Sequence, residues 1–188
     1  MAERRDAGES ARAEARGAAG GSERVVAYRA GATALVVTVP EAESLVGRWR
    51  EREDGIPAHV TVLVPFLHVS RIDDSVRAEL RAVFQQHPAV DVGFRRVGRF
   101  PEVVYLVPEP AEVFVRLTEA VVARWPETPP YGGAHDTIIP HLTLGRAGVV
   151  EESALDGELP LTSRARAVTL LVCADGERWT ESETFPLA

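Results

Sequence analysis

The stretch Pro57-Ala58-His59-Val60-Thr61-Val62-Leu63-Val64, PAHVTVLV, decides the fold. It is β-branched and aliphatic and is bounded by Pro57 and Pro65, the composition of a strand with turns at either end. Yet it carries a histidine and a threonine two places apart. Successive strand residues point to opposite faces, so His59 and Thr61 share one face and Val60, Val62 and Val64 the other. That alternation predicts a half-exposed antiparallel strand with its apolar side on a core. Taken alone, the pair is an ordinary solvated sheet face.

The pattern recurs. Ile138 to Leu144 reads as a second strand, and His141-Leu142-Thr143-Leu144 repeats His-x-Thr followed by an aliphatic residue. Each copy follows a helix and a proline-bearing loop. Two copies in like context predict two half-domains that pack about a pseudo-twofold axis with their polar faces meeting in a cleft. Two imidazoles would converge there. With an ordinary pKa near 6.5, one ring can be neutral while the other is protonated, which concerted general-base and general-acid catalysis requires.

Working outward, Thr33 to Val39 is a strand ended by Pro40, and EAESLVGRWRERE (41–53) has Leu45, Val46 and Trp49 on one helical face. Asp73-Asp74-Ser75 opens a helix with acids near its positive end, Val76, Leu80, Val83 and Phe84 form its apolar stripe, and His87-Pro88 stops it. Strands are expected at Val90 to Gly98 and Val103 to Val107, then a long amphipathic helix, AEVFVRLTEAVVARW (111–125). The loop PETPPYGGAHD (126–136) leads into the second motif, a short helix follows around Glu151 to Leu155, and a hairpin pairing Ala165 to Cys173 with Trp179 to Phe185 closes the chain.

The chain has 188 residues, 45% of them hydrophobic, enough to bury a sizeable core. No apolar run approaches the roughly 20 residues that cross a bilayer. The first residues lack the apolar centre of a secretory signal, so a cytoplasmic protein is expected. Residues 1–24 are rich in Ala, Gly, Arg and Glu with almost nothing to bury, and read as a disordered tail ahead of one domain at 25–188. The net charge is −7, and the charges of residues 1–24 cancel, so the remainder carries all of it. That excludes a broad basic surface for long duplex nucleic acid, but leaves room for a small anionic ligand held by a few arginines. Cys173 is the single cysteine, which excludes an internal disulfide and a cysteine metal cluster.

The two motifs, HVTV at 59–62 and HLTL at 141–144, with VTVLVPF at 60–66, VGRFP at 97–101 and PPYGG at 129–133, resemble the 2H phosphoesterase superfamily, which contains the bacterial 2′-5′ RNA ligase (LigT-like) proteins. The resemblance runs from about Thr33 to the C-terminus. It implies a bilobal α+β fold in which two antiparallel sheets, related by a pseudo-twofold, line a central cleft with helices outside. It also implies metal-independent chemistry, with no cofactor, on 2′,3′-cyclic or 2′-5′-linked nucleotide phosphodiesters, with reverse ligation as an added activity. His59 and His141 match the superfamily's two catalytic histidines, and Thr61 and Thr143 the hydroxyls that hold phosphate oxygens. A small nucleotide or RNA end is the expected partner, met by a monomer and without a membrane.

Charge on phosphoryl oxygens needs donors, which Thr61 and Thr143 supply, and Arg146, three residues past Thr143, offers a bidentate fork to phosphate. The first motif has Val64 at that offset. Phe66 and Tyr131 are the aromatics that would stack on a base, although Phe66 has a competing role in the core and Tyr131 sits in a Pro/Gly loop of the kind that carries binding residues. His135-Asp136 has a metal-binding look but no companion ligands, so no metal is expected. The rival reading is a non-catalytic nucleotide- or RNA-binding protein that uses the same cleft.

Overall fold

The computed structural model describes residues 28–51, 53–133 and 137–188. The expected tail at 1–24 and the His135-Asp136 pair lie outside the described residues. In chain order the elements are β1 (Ala32–Thr38), α1 (Glu43–Gly47), β2 (His59–Leu63), α2 (Asp74–Phe84), β3 (Val90–Arg99), β4 (Val103–Glu109), α3 (Glu112–Arg124), β5 (Leu142–Arg146), β6 (Leu161–Ala165), β7 (Ala167–Cys173) and β8 (Trp179–Pro186).

The eight strands form one antiparallel ladder in the order β6-β3-β4-β5-β2-β1-β7-β8. The strand carrying His59 and the one following His141 are the central neighbours, β2 and β5, and four strands lie in each half. The two expected sheets are these halves, joined where Val60 pairs with Leu142. The repeat is visible in the connections: β1-α1-β2 in one half answers β4-α3-β5 in the other.

One face of the ladder is apolar and carries the helices. Leu35, Val37, Val60, Leu106, Leu142, Leu144 and Phe94 are buried there with Leu80 and Phe84 of α2 and Phe114, Leu117 and Val121 of α3. α2 begins where the sequence places it: the Asp73 carboxylate accepts the Val76 N–H at 2.9 Å and caps the helix. It is fixed to β8 along its length by the Phe84–Phe185 ring contact at 5.9 Å and by Arg77 and Arg81, which both reach Glu183. The opposite face carries both motifs. In the β1-β7-β8 half a smaller apolar cluster of Ala34, Val36, Leu171, Cys173 and Trp179 also lies on it.

Three elements differ from the sequence reading. The helix expected over 41–53 is a single 3-10 turn at Pro40–Ala42 followed by five α-helical residues that end at Gly47, a poor helix former. Trp49 still reaches the core, but from the loop beyond the helix. The second motif strand starts at Leu142 rather than Ile138: Pro140 has no N–H to give a ladder, and Ile139 is 45% exposed. Finally, Leu161–Ala165 is a separate strand, β6, paired with β3 and parted from β7 by Arg166 alone.

Candidate active site

Continuing the Val60–Leu142 register of β2 and β5 sets His59 opposite Thr143 and Thr61 opposite His141. All four side chains are half-buried on the face away from the helices. The axis of the repeat passes between the two strands at that pair, and the histidines stand diagonally across it. Their charges are felt directly, since protonation of His141 disfavours protonation of His59.

Both motif strands bulge at the same place. The register of β1 with β2 shifts between Leu35–Leu63 and Val36–Thr61, and that of β4 with β5 between Val104–Gly145 and Tyr105–Thr143. Val62 and Leu144 are therefore the extra residues, each one place after the motif threonine. A bulge breaks the alternation, so Leu63 enters the main core beside Val62, and Val64, expected there, packs against the smaller cluster instead. The carbonyl of Val62 is met by α3, where the buried Thr118 hydroxyl donates to it at 2.7 Å.

The two imidazoles are held alike. His59 Nδ1 lies 2.8 Å from the Pro57 carbonyl and His141 Nδ1 2.7 Å from the Ile139 carbonyl, each two residues back. A carbonyl only accepts, so Nδ1 carries the proton in both rings. Nε2 is then the nitrogen left to take or give a proton.

Around them the symmetry ends. The residue before His59 is tied down twice: Ala58 N–H donates to Glu43 Oε2 at 2.6 Å, and Ala58 O accepts from Val39 N–H at 2.7 Å. The other oxygen of Glu43 pairs with Arg50 Nη1 at 2.7 Å. Burial pushes the Glu43 pKa up, but the Ala58 N–H and the Arg50 guanidinium outweigh it and hold the carboxyl below its ordinary value. Further back, Asp54 O accepts from Trp179 N–H at 2.7 Å, pinning the loop to β8. Burial is the largest influence on His59 and lowers its pKa; His141 and Arg50 act the same way, the Pro57 carbonyl and Asp54 against it.

His141 is instead walled by rings. Phe100 meets it edge-on at 5.1 Å and Tyr105 at 5.3 Å, and the two aromatics contact each other at 4.4 Å. Tyr105 pairs with Thr143 on one side and Gly98 on the other, and its ring covers Gly98 where a Cβ would stand.

The other expected site residues scatter. Arg146 ends β5 as an exposed side chain with a loose ion pair, 3.7 Å from Glu51. Tyr131 adopts a left-handed conformation at φ 52°, its N–H bonded to Val64 O at 2.9 Å, so its loop is fastened to the end of β2. Phe66 is 5% exposed and packs edge-on against Trp125 at 5.3 Å; its ring belongs to the core and offers no face to a base. His68 caps a 3-10 turn, with Nδ1 2.9 Å from Ser70 Oγ and Nε2 3.2 Å from Ala30 O. Cys173 is buried, and burial pushes its thiol pKa up. Among the described residues no three His, Cys, Asp or Glu side chains gather as a metal site, and no helix is long and apolar enough to cross a membrane.

A family model for the 2′-5′ RNA ligase superfamily matches residues 38–177, which holds both motifs. The chain belongs to that superfamily. Its fold is shared with Escherichia coli LigT solved with 3′-AMP, at 15% identity and a TM-score of 0.55, over 84% of this chain and 98% of that one. It is likewise shared with TT0787 of Thermus thermophilus, at 19% identity and 0.53, over 82% and 97%. A structure described as a phosphoesterase aligns at 17% identity and 0.52, over 84% and 99%. No curated protein matches the sequence.

Within this superfamily member, sequence reasoning missed the surroundings of each histidine. Gly98 lies in the VGRFP stretch and Tyr105 in an expected strand, but only the β3-β4-β5 register shows that they meet beside His141. Glu43 and Arg50 carried no signal beyond their place in an amphipathic segment.

Proposed function

We propose that this protein is a phosphodiesterase of 2′,3′-cyclic or 2′-5′-linked nucleotide phosphodiesters that works without a metal, with His59 and His141 as its acid–base pair. The observation that carries the reading is the matched tethering of the two rings, which leaves each Nε2 free on the face shared with Thr61 and Thr143. His59, whose pKa is lowered, suits the base. Its Nε2 takes a proton from water as the water oxygen bonds to phosphorus. The P–O bond to the departing sugar oxygen breaks, and that oxygen takes the proton of His141 Nε2. Thr61 and Thr143 donate to the non-bridging oxygens, on which charge accumulates. The same atoms run backwards would join the ester. LigT, a structural neighbour, has been solved with 3′-AMP and with NADP+, which supports a nucleotide in this cleft. The net charge of −7 favours a short substrate over a long duplex.

The test is hydrolysis of adenosine 2′,3′-cyclic phosphate and of 2′-5′-linked diadenosine monophosphate in EDTA. Each of His59→Ala and His141→Ala should lower kcat about 10²- to 10⁴-fold. Absence of turnover by the wild type on both substrates, with nucleotide binding intact, would leave a non-catalytic binding protein instead.

A further inference from the structure

Beside His59, on the same face of the ladder, lies a cavity of about 240 Å³. Thr38, which pairs with His59 across β1 and β2, lines it, as do Thr169 and Thr184 of β7 and β8, Arg166 at the β6–β7 junction, and Glu181. The strand register explains the gathering: Val36 pairs with Thr169, and Thr169 with Thr184, so the hydroxyl-bearing positions fall on one face. That face is not polar by default. One strand-step away it is filled by the Ala34, Val36, Leu171, Cys173 and Trp179 cluster.

Several of these groups are unspent. Thr169 and Thr184 are bonded to each other at 3.3 Å, but Thr38, Arg166 and Glu181 have no side-chain hydrogen bond or ion pair among the described residues. A hydroxyl, a guanidinium and a carboxylate offer both donors and acceptors, the complement that the hydroxyls of a ribose present. A purely anionic ligand would meet Glu181 unfavourably, and an apolar one would leave all three groups unpaired. The flank of His141 has the opposite character, since continuing the β4–β5 register past Leu106–Leu142 sets Val107 beside His141, where Thr38 stands beside His59.

We propose that this cavity is a polar subsite for the ribose of a second nucleoside, the one that keeps the phosphate while the sugar oxygen on the His141 side departs. This rests on the phosphodiesterase reading and narrows it: the preferred substrate has a nucleoside on each side of phosphorus, as a 2′-5′-linked dinucleotide does and a cyclic mononucleotide does not.

The experiment reads a ratio, kcat/KM for 2′-5′-linked diadenosine monophosphate over that for adenosine 2′,3′-cyclic phosphate, in wild type, Arg166→Ala and Thr38→Val. The ratio should fall about tenfold in Arg166→Ala and several-fold in Thr38→Val, as expected for lost charged and neutral hydrogen bonds. A ratio within about twofold of wild type in both variants overturns the subsite. In parallel, binding of the dinucleotide and of adenosine 2′-phosphate is measured by calorimetry in the His59→Ala/His141→Ala background, with and without Arg166→Ala. Should the wild type prove inactive while the dinucleotide retains an Arg166-dependent advantage in binding, the enzymatic reading falls and the subsite stands. Equal, Arg166-independent binding of the two ligands removes the subsite whatever the activity.

Discussion

Val62 and Leu144 are the extra residues of two β-bulges that fall at the same place in the two motifs, one step after Thr61 and one after Thr143. The repeated tetrapeptide thus encodes backbone shape as well as a polar pair. Its histidine and threonine share the face away from the helices, and its fourth residue takes up the surplus length that lets the strand re-aim. What each bulge frees must be satisfied elsewhere, and at Val62 the helix α3 does so.

Thr118 is a poor helix former in mid-helix, 1% exposed, with its hydroxyl 2.7 Å from Val62 O and 3.0 Å from Phe114 O. Thr118→Val keeps the shape and deletes the donor. The Val62 carbonyl then stays buried without its side-chain partner, at a cost of about 1–3 kcal/mol. Urea unfolding should show a lower midpoint at unchanged m. A change under about 0.5 kcal/mol would mean that the bond contributes no net stability.

Gly98 exists to make room. Its neighbour Tyr105 lies across it, and the same ring packs against His141 and Phe100. Gly98→Ala must push the ring aside, at about 1–3 kcal/mol for overpacking, and His141 loses a wall. The expected result is a lower Tm together with a shifted and broadened His141 ring signal by NMR, while the His59 signal stays put. Movement of both rings alike would show global loosening instead.

Glu43 separates tethering from charge. Glu43→Ala orphans the buried Ala58 N–H, whereas Glu43→Gln keeps an acceptor for it and loses only the ion pair with Arg50. The alanine variant should lose about 1–3 kcal/mol of stability and most of its kcat, since Ala58 directly precedes the proposed base. The glutamine variant should recover most of both, because partly exposed ion pairs contribute little. Equal damage by the two, in kcat and in thermal unfolding, would assign the effect to the charge.

The architecture was legible where local rules suffice. Prolines bracket PAHVTVLV, Asp73 caps α2 and the period of Val113, Phe114, Leu117 and Val121 sets α3 on the core, all choices made within a few residues. The motif pair was legible because it repeats. What stayed hidden depends on register. Strict alternation sends Val64 to the core, but a bulge reverses the end of β2, and nothing in the letters VTVLV marks where it falls. The ring beside His141 and the carboxylate behind His59 come from other strands and turns. Phe66 shows the reverse hazard: beside a site in sequence, it turns inward onto Trp125.

An unfolded imidazole titrates near 6.5, and burial places the folded-state pKa of His59 below that. Between the two values the unfolded chain binds a proton that the folded chain does not, so this group's contribution to stability is full above about 6.5 and declines as pH falls through the window. The same shift keeps His59 neutral, and able to act as a base, at pH values where a free imidazole is already protonated. The acid limb of kcat/KM should therefore lie below about 6.5. Among the charged groups acting on the ring, His141 and Arg50 push that limb to lower pH and Asp54 to higher. Asp54→Asn keeps an oxygen for the Ile56 N–H, bonded at 3.1 Å, and removes the charge, so it should move the limb further toward acid. The alkaline limb should fall as the acid partner loses its proton, giving a bell. A limb at or above about 6.5, or a rate that climbs without limit to high pH, would contradict the pairing of a neutral His59 with a protonated His141.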